Sequence, residues 1–323
     1  MILAAGLGTR MRPLSELRAK PALPVRGRPV IAWLLALLER HGVREVAVNL
    51  HHLPETVVEA VERFAPAGLR IEWSHERLPL GTGGGIRRMR EFLSQSDPSL
   101  VLAGDMLLDV DLGALAAAHS ASGAHCTLLL RRDERAATFG SIGFDEAGRV
   151  RRIGRRFDLG GEEQAGVFVG VRVLSPDVFE RLPDVTDDTE FEDLTDWLAP
   201  ALRAGDGGIR GRLLEAREMT WEPVGTPAEY LAANLETPGL SFDPPGNLAE
   251  GARLIGRSGD VVLGAGATIG EGAELERCVV WEGEQVPDGL RARGGVFAAG
   301  RFYACEAEES KVRDRGQGGS SRG

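Results

Sequence analysis

Apolar positions in the first half of the chain follow two periods in turn. The short runs "MILAA", "REVAVNL", "LRIEWSH", "LVLAGDML" and "HCTLLLRR" predict strands. Between them, "PVIAWLLALLERHGV" (ended by Gly42), "PETVVEAVERFAPAG" (opened by Pro54) and "LGALAAAHSASG" predict helices. "GTGGGIRRMREFL" reads as a Gly-rich turn running into a helix. This alternation predicts βαβ units: a doubly wound, Rossmann-like α/β sheet, largely parallel, with helices on both faces.

Residues 138 to 175 change character. "FGSIGFDEAGRVRRI" predicts a hairpin around Glu146-Ala147-Gly148, and "AGVFVGVRVL" a further strand. Helices return with "FEDLTDWLAPALRAG" and "PAEYLAANLE". The Pro/Gly-rich stretch 238–247 reads as a linker. Beyond it, Leu263, Ile269, Leu275 and Trp281 recur every six residues, as do Val261, Ala267, Ala273 and Val279. A six-residue period predicts a small left-handed parallel β-helix over 248–303, of two to three coils. The organisation expected is therefore 1–237, a linker, the β-helix, and a polar tail at 304–323 that should be disordered.

Composition narrows the function. Of 323 residues, 43% are apolar, and the formal net charge is −10. An acidic chain does not suit a nucleic-acid partner, so positive charge for an anionic ligand must be local. The three cysteines are far apart and form no metal-ligand spacing. "MILAA" lacks the basic flank of a secretory signal, and "VIAWLLALL" is too short to span a bilayer. A cytoplasmic protein with no membrane partner is expected.

Ligands on such sheets sit outside the carboxyl ends of the strands. Three features converge there: the loop "LAAGLGTRMRPLSELRAKP", the "HER" end of the third strand, and "GDM". The loop has neither a Walker Gly-Lys pair nor a third Rossmann glycine, since Met11 takes that place. Gly6 and Gly8 still let backbone N–H groups approach an anion. Arg10 adds a fork of donors suited to phosphate, and Lys20 a mobile point charge. An ordinary βα turn with solvated Arg and Lys is the plain alternative.

The loop resembles the L-A-A-G-x-G-T-R-[LM]-x-P-L-T…K-P motif of the sugar-phosphate nucleotidyltransferases, the NDP-sugar pyrophosphorylases. "LPLGTGGGI", "LAGDMLLDVDL", "FGSIGFDEAGRV", "GVRVLSPDVF" and "TWEPVGTPAEYLAANL" match further family segments in order, across residues 1–237. Many members carry an appended hexapeptide region. Members usually have two or three residues before "MILAAG", so either the start is slightly late or the first strand is short. The resemblance implies the nucleotide-diphospho-sugar transferase fold, a doubly wound mixed sheet, and attack by a sugar-1-phosphate on the α-phosphorus of an NTP, with Mg²⁺. It implies a nucleotide cradle of Ala5, Gly6, Gly8 and Thr9, with Arg10 stabilising leaving pyrophosphate and Lys20 binding phosphates. Gly81 and Thr82 would line the base and ribose pocket, although Gly81 to Gly85 could serve only to admit a helix close to the sheet. Asp105 would hold the metal; Gly140, Arg156 and Gly170 would meet the sugar-phosphate.

Departures from the pattern matter. The second metal ligand of the family is the Asp of W-x-D-x-G-T, and here that position is Pro223. Glu222 is its nearest substitute, reaching the metal only if Pro223 breaks the strand; Asp109 is another. Arg156 stands at the family's sugar-phosphate Lys, Arg155 at its Glu, and Phe168 at a frequent Asn. Glu76 is an acceptor-only group suited to the N–H donors of guanine. "HERLPLGTGGGI" resembles mannose-1-phosphate guanylyltransferases, although N-acetylmuramate-1-phosphate uridylyltransferases share the "TGGGI" run.

Three function classes follow. The first is a sugar-1-phosphate nucleotidyltransferase using GTP and mannose-1-phosphate, or UTP or dTTP in the alternative. The second, motivated by Pro223, is a catalytically weak relative that binds nucleotide-sugars and regulates a partner. The third, acyl transfer by the β-helix, fits poorly, because no His follows His125. The β-helix is expected to pack on the catalytic domain or to form a homo-oligomer.

Overall fold

Strand β1 (Ile2–Leu3) lies at the middle of a mixed sheet in the computed structural model, which describes residues 1–237, 239–242, 250–255 and 260–306. It leads through helix α1 (Val30–Arg40) to the parallel strand β2 (Glu45–Leu50). Helix α2 (Pro54–Phe64) then leads to the parallel edge strand β3 (Arg70–His75). α1 is apolar nearly all round because it is covered on several sides. Leu34, Leu35, Leu37 and Leu38 are at most 1% exposed, each contributing about 1.5–3 kcal/mol of burial. Pro54 takes the first helical position of α2, and Gly42 follows α1 at φ 82°.

Helix α3 (Gly81–Arg88) corrects the expected glycine turn: the glycines are themselves helical. Side chains at Gly83 and Gly84 would collide with the segment 189–193, so these glycines admit the helix against it. β4 (Ser99–Ala103) pairs in parallel with β1 on the side away from β2. The chain bends at Gly104 and Asp105, and β5 (Met106–Asp109) leaves the main sheet.

Helix α4 (Leu112–Ser122), β6 (Cys126–Arg131) and the hairpin β7 (Ile142–Phe144) and β8 (Val150–Ile153) follow. Strand β9 (Gln164–Leu174) then runs antiparallel between β4 and β6. This reverse strand makes the sheet mixed, as expected of the nucleotide-diphospho-sugar transferase fold. Its pairing with β6 slips between Phe168 and Arg172, a bulge around Gly170 at φ 83°. The segment Asp193–Leu198 winds as a wide π turn before helix α5 (Ala199–Arg203). β10 (Ile209–Leu214) pairs in parallel with β6, and β11 (Thr220–Pro223) pairs antiparallel with β5. Helix α6 (Pro227–Leu235) starts from Thr226, whose side chain accepts the Glu229 N–H.

The C-terminal part stacks β12 (Arg253–Ile255), β13 (Val261–Leu263), β14 (Glu274–Val280), β15 (Arg291–Ala298) and β16 (Arg301–Ala304). β13, β14 and β15 are parallel, whereas the outer β12 and β16 run antiparallel to the stack. Val262 pairs with Val279, and Val279 with Val296, an advance of 17 residues per rung. That is one residue short of three hexapeptides; the stack is compatible with the expected small β-helix. Val262, Val279, Trp281 and Val296 share one apolar cluster with Met11, Leu14, Trp33 and Tyr230, so the stack packs on the catalytic part. The expected tail starts too early: Ala304 is in a strand and Glu306 pairs with Arg277 at 2.7 Å. The remainder of that tail, 307–323, and most of the expected linker lie outside the described residues. Among the described residues no helix is long and apolar enough to cross a membrane.

Candidate active site

A cavity of about 590 Å³ opens at the carboxyl ends of β1 and β4. Ala5, Gly6, Gly8, Thr9, Arg10, Lys20, Glu76, Gly81, Thr82, Asp105 and Gly170 all line it. These residues come from six separate segments, and the strand ends bring them together. Gly140, Arg156 and Glu222 are not in its wall.

The first loop divides its glycines by purpose. Gly8 has φ 65°, and a Cβ there would press on Ser15 at 2.9 Å. Gly6 meets no protein atom within 4 Å of such a Cβ, so its missing side chain leaves free space for a ligand. The short turn Thr9–Met11 carries Arg10 into the cavity, where it is exposed and makes no ion pair among the described residues. Met11 and Leu14 are fully buried and anchor the arm behind it. Ser15 donates to the Gly8 carbonyl at 2.8 Å, and the Thr56 hydroxyl accepts the Ala19 N–H at 3.1 Å. Lys20 is largely buried, and its Nζ lies 3.1 Å from Asp105 Oδ2.

Glu76 is buried at the end of β3. Its Oε1 accepts Asn49 Nδ2 at 2.8 Å, and its Oε2 accepts the Leu80 N–H at 3.1 Å. Asn49 Oδ1 in turn accepts the Ala4 N–H at 2.7 Å. Burial raises the Glu76 pKa, partly offset by the Asn49 and Leu80 hydrogen bonds. Each carboxylate oxygen thus already holds a protein donor. The geometry makes Glu76 a clip that joins β1, β2 and α3, with a second lone pair on each oxygen still open to a donor. The Thr82 hydroxyl lies 2.6 Å from both Glu192 and Asp193, which ties α3 to the segment 189–193.

Glu222 corrects the sequence-based expectation of a second metal ligand. β11 keeps its strand alternation through Pro223, so Trp221 and Pro223 line the cavity and Glu222 turns away. Its Oε2 instead pairs with Arg135 Nη1 at 3.1 Å. Arg135 also grips Asp133 and stacks on Trp221 at 5.1 Å. Asp109, the other substitute, accepts from the Ser241 backbone and hydroxyl. Among the described residues no group of three His, Cys, Asp or Glu side chains could hold a metal. Asp105 is a single half-exposed carboxylate. It fits a cation that brings most of its ligands as phosphate oxygens and water, not a preformed protein cage.

Arg156 is likewise placed elsewhere. It sits exposed in the tight turn between β8 and the short strand Phe157–Asp158, outside the cavity wall. The cavity wall also holds residues not expected in the site: Phe139, Arg172 and Trp221, which lie inside the matched segments, and Glu190 and Glu192, which lie outside them. Phe139 and Trp221 meet edge to face at 5.3 Å. Arg172 had a visible signal, a lone charge in the apolar strand "VFVGVRVL". The acids of "TEFED" had a weaker one, because acids before a helix read first as caps.

A family model described as "Nucleotidyl transferase" matches residues 1–238. A mannose-1-phosphate guanylyltransferase of Mycobacterium tuberculosis (strain ATCC 25618 / H37Rv) is 30% identical, over 90% of this chain and 81% of its own length. A UTP–glucose-1-phosphate uridylyltransferase of Synechocystis sp. is 25% identical, over 90% of this chain and 84% of its own. The crystal structure of HddC from Yersinia pseudotuberculosis shares the fold with a TM-score of 0.58 at 23% identity, covering 72% of this chain and 96% of that one. The match spans the glycine loop, the Gly-Asp bend and the cavity they enclose, and the chain belongs to the nucleotidyl transferase family, among the sugar-phosphate nucleotidyltransferases that its motifs resemble.

Proposed function

We propose that this chain transfers a nucleotidyl group from GTP to mannose-1-phosphate, releasing pyrophosphate and forming an NDP-sugar. One observation carries the reading: one cavity holds a ligand-ready glycine loop, the exposed Arg10, and Lys20 beside an acidic residue at its floor. A sugar-1-phosphate oxygen attacks the α-phosphorus, and the bond to the β-phosphate oxygen breaks. Both reactants are polyanions, so positioning and charge neutralisation do most of the catalysis. Backbone N–H groups around Gly6 and Gly8 would cradle the triphosphate. Arg10 would take the charge that grows on leaving pyrophosphate, and Lys20 would hold a phosphate across from it. Asp105 would hold the Mg²⁺ that arrives with the nucleotide, and that ion would neutralise phosphate charge.

The choice of GTP and mannose-1-phosphate rests on relatives, which include a guanylyltransferase and a uridylyltransferase. Glu76 in the cavity wall supports a guanine base, since each of its oxygens holds one protein donor and keeps a further acceptor site. A second reading, a nucleotide-sugar-binding regulator of low activity, is favoured by Pro223 in the cavity wall and Glu222 outside it. Pyrophosphate release with Mg²⁺, measured across a grid of NTPs and sugar-1-phosphates, separates the readings. Turnover with GTP and mannose-1-phosphate above all other pairs is expected. Turnover with a different pair replaces the substrate assignment. Nucleotide-sugar binding with no turnover from any pair favours the regulator.

A further inference from the structure

The cavity has cations at two separated places. Arg10 and Lys20 belong to the loop after β1. Arg172 lies on β9, which is separated from β1 by β4, about 10 Å across the sheet at the usual strand spacing. No other Lys or Arg lines the cavity among the described residues. Arg172 is 4% exposed and lines the cavity.

Its surroundings fix it in place. Arg172 Nε donates to Asp193 Oδ2, and Nη1 reaches the Gly170 carbonyl at 3.4 Å. The guanidinium stacks over Phe168 at 4.8 Å. Asp193 is held from the other side by the Thr82 hydroxyl at 2.6 Å. Burial pushes the Asp193 pKa up, but the Arg172 charge and the Arg172 and Thr82 hydrogen bonds outweigh it and keep the carboxyl ionised. The bulge at Gly170 displaces backbone beside this group. Nη2 has no hydrogen-bond partner among the described residues.

We infer that Arg172 binds the phosphate of the acceptor, the second phosphate-bearing reactant, on the β9 side of the cavity. This rests on the proposed reaction, in which two phosphorylated molecules occupy one cavity. Two polyanions need separate counter-charges, and the loop cations are committed to the triphosphate. Arg156, the residue expected for this task from its place in the sequence, is outside the wall. An Arg pre-oriented by a buried carboxylate presents its remaining N–H groups with little entropy left to lose. Asp193 is then a positioning residue that acts through Arg172.

A buried ion pair could also serve stability alone, and removing one partner would unfold many proteins. The test therefore uses the full chain with the double variant Arg172→Met/Asp193→Asn, which removes both charges; the Asn replacement retains an oxygen for the Thr82 hydroxyl. Thermal melting, KM for mannose-1-phosphate and KM for GTP are measured. Calorimetry with mannose-1-phosphate and with inorganic phosphate is run with the nucleotide end saturated by a non-hydrolysable GTP analogue. The expected result is a rise of about 10- to 100-fold in acceptor KM and Kd, with KM for GTP within about twofold. Arg172→Lys, which keeps the charge, should fall between. Acceptor affinity unchanged in whichever of these variants folds overturns the inference. If the wild type turns over no substrate pair yet binds phosphate in an Arg172-dependent way, the site stands and the proposed reaction falls. If neither molecule binds the wild type, the site falls too.

Discussion

Lys20 Nζ lies 3.1 Å from Asp105 Oδ2, so the cavity floor holds an internal ion pair between the cation of the first loop and the carboxylate of the Gly-Asp bend. The pair reaches across the β1–β4 pairing, where both strands end. In the proposed reaction it would hold each charge ready and keep the carboxylate from repelling a triphosphate. Lys20→Met should lower kcat/KM by about a hundred- to thousand-fold, through lost phosphate contact and an uncovered Asp105. Steady-state kinetics with varied NTP check this; a loss below about threefold would place Lys20 outside the reaction.

Pro223→Asp tests the second departure at the same floor. Pro223 pairs with Met106 at the start of β5, adjacent to Asp105, and lines the cavity. A carboxylate there would face the bound nucleotide beside Asp105. Activity should rise about tenfold, and the Mg²⁺ concentration for half-maximal rate should fall. Unchanged Mg²⁺ dependence would mean that Asp105, water and phosphate already complete the ion's shell. Glu222→Gln should leave Mg²⁺ dependence unaltered, because Glu222 faces Arg135.

Much of the fold and the site is legible in the sequence, for physical reasons. The helices α1 and α2 and the parallel strands carry their periodicity within a dozen residues. The first loop's position is legible because its two glycines and two cations follow a strand end, and all four line the cavity. The mixed sheet follows from the family motifs and not from periodicity, because the reversed strand β9 has the same apolar pattern as a parallel one. Two things are not legible. Glu222 misleads because a Pro in a strand suggests a break, whereas Pro223 ends an edge strand without changing the alternation before it. Arg156 occupies the motif position of a phosphate-binding Lys, but the hairpin turn carries it out to solvent, and the cation inside the wall is Arg172.

The C-terminal stack reaches the nucleotide loop through Trp281. Its Nε1–H donates to Tyr230 Oη at 2.9 Å, and that hydroxyl donates to the Pro24 carbonyl at 2.5 Å. Arg18, two residues before Lys20, stacks on the Trp281 ring at 4.7 Å and pairs with Glu282 at 2.7 Å. Trp281→Ala should cost about 3–5 kcal/mol in stability and raise KM for the NTP several-fold by loosening the arm. Trp281→Phe, which keeps a ring under Arg18, should recover most of the KM effect. Denaturant melts with parallel kinetics separate the two losses; a destabilised variant with unchanged KM would confine the stack to a structural role.

Asp133 predicts the acid limb of stability. Hydrogen bonds from Arg135, opposed by burial, hold its carboxyl down at about 2, against an ordinary value of about 3.9. A folded-state value below the unfolded one stabilises the fold above the unfolded value. That stability is lost as pH falls through the interval down to about 2. Arg135 stacks on both Phe139 and Trp221, so the Asp133–Arg135–Glu222 group braces the aromatic part of the cavity wall from behind. Asp133→Asn should cost roughly 1–3 kcal/mol at neutral pH and flatten the stability profile between about pH 4 and pH 2. Urea unfolding at stepped pH measures both effects. Loss at neutral pH with an unchanged acid limb would move the low-pH transition to other carboxylates, and an unchanged neutral stability would leave the Arg135 brace to Glu222 alone.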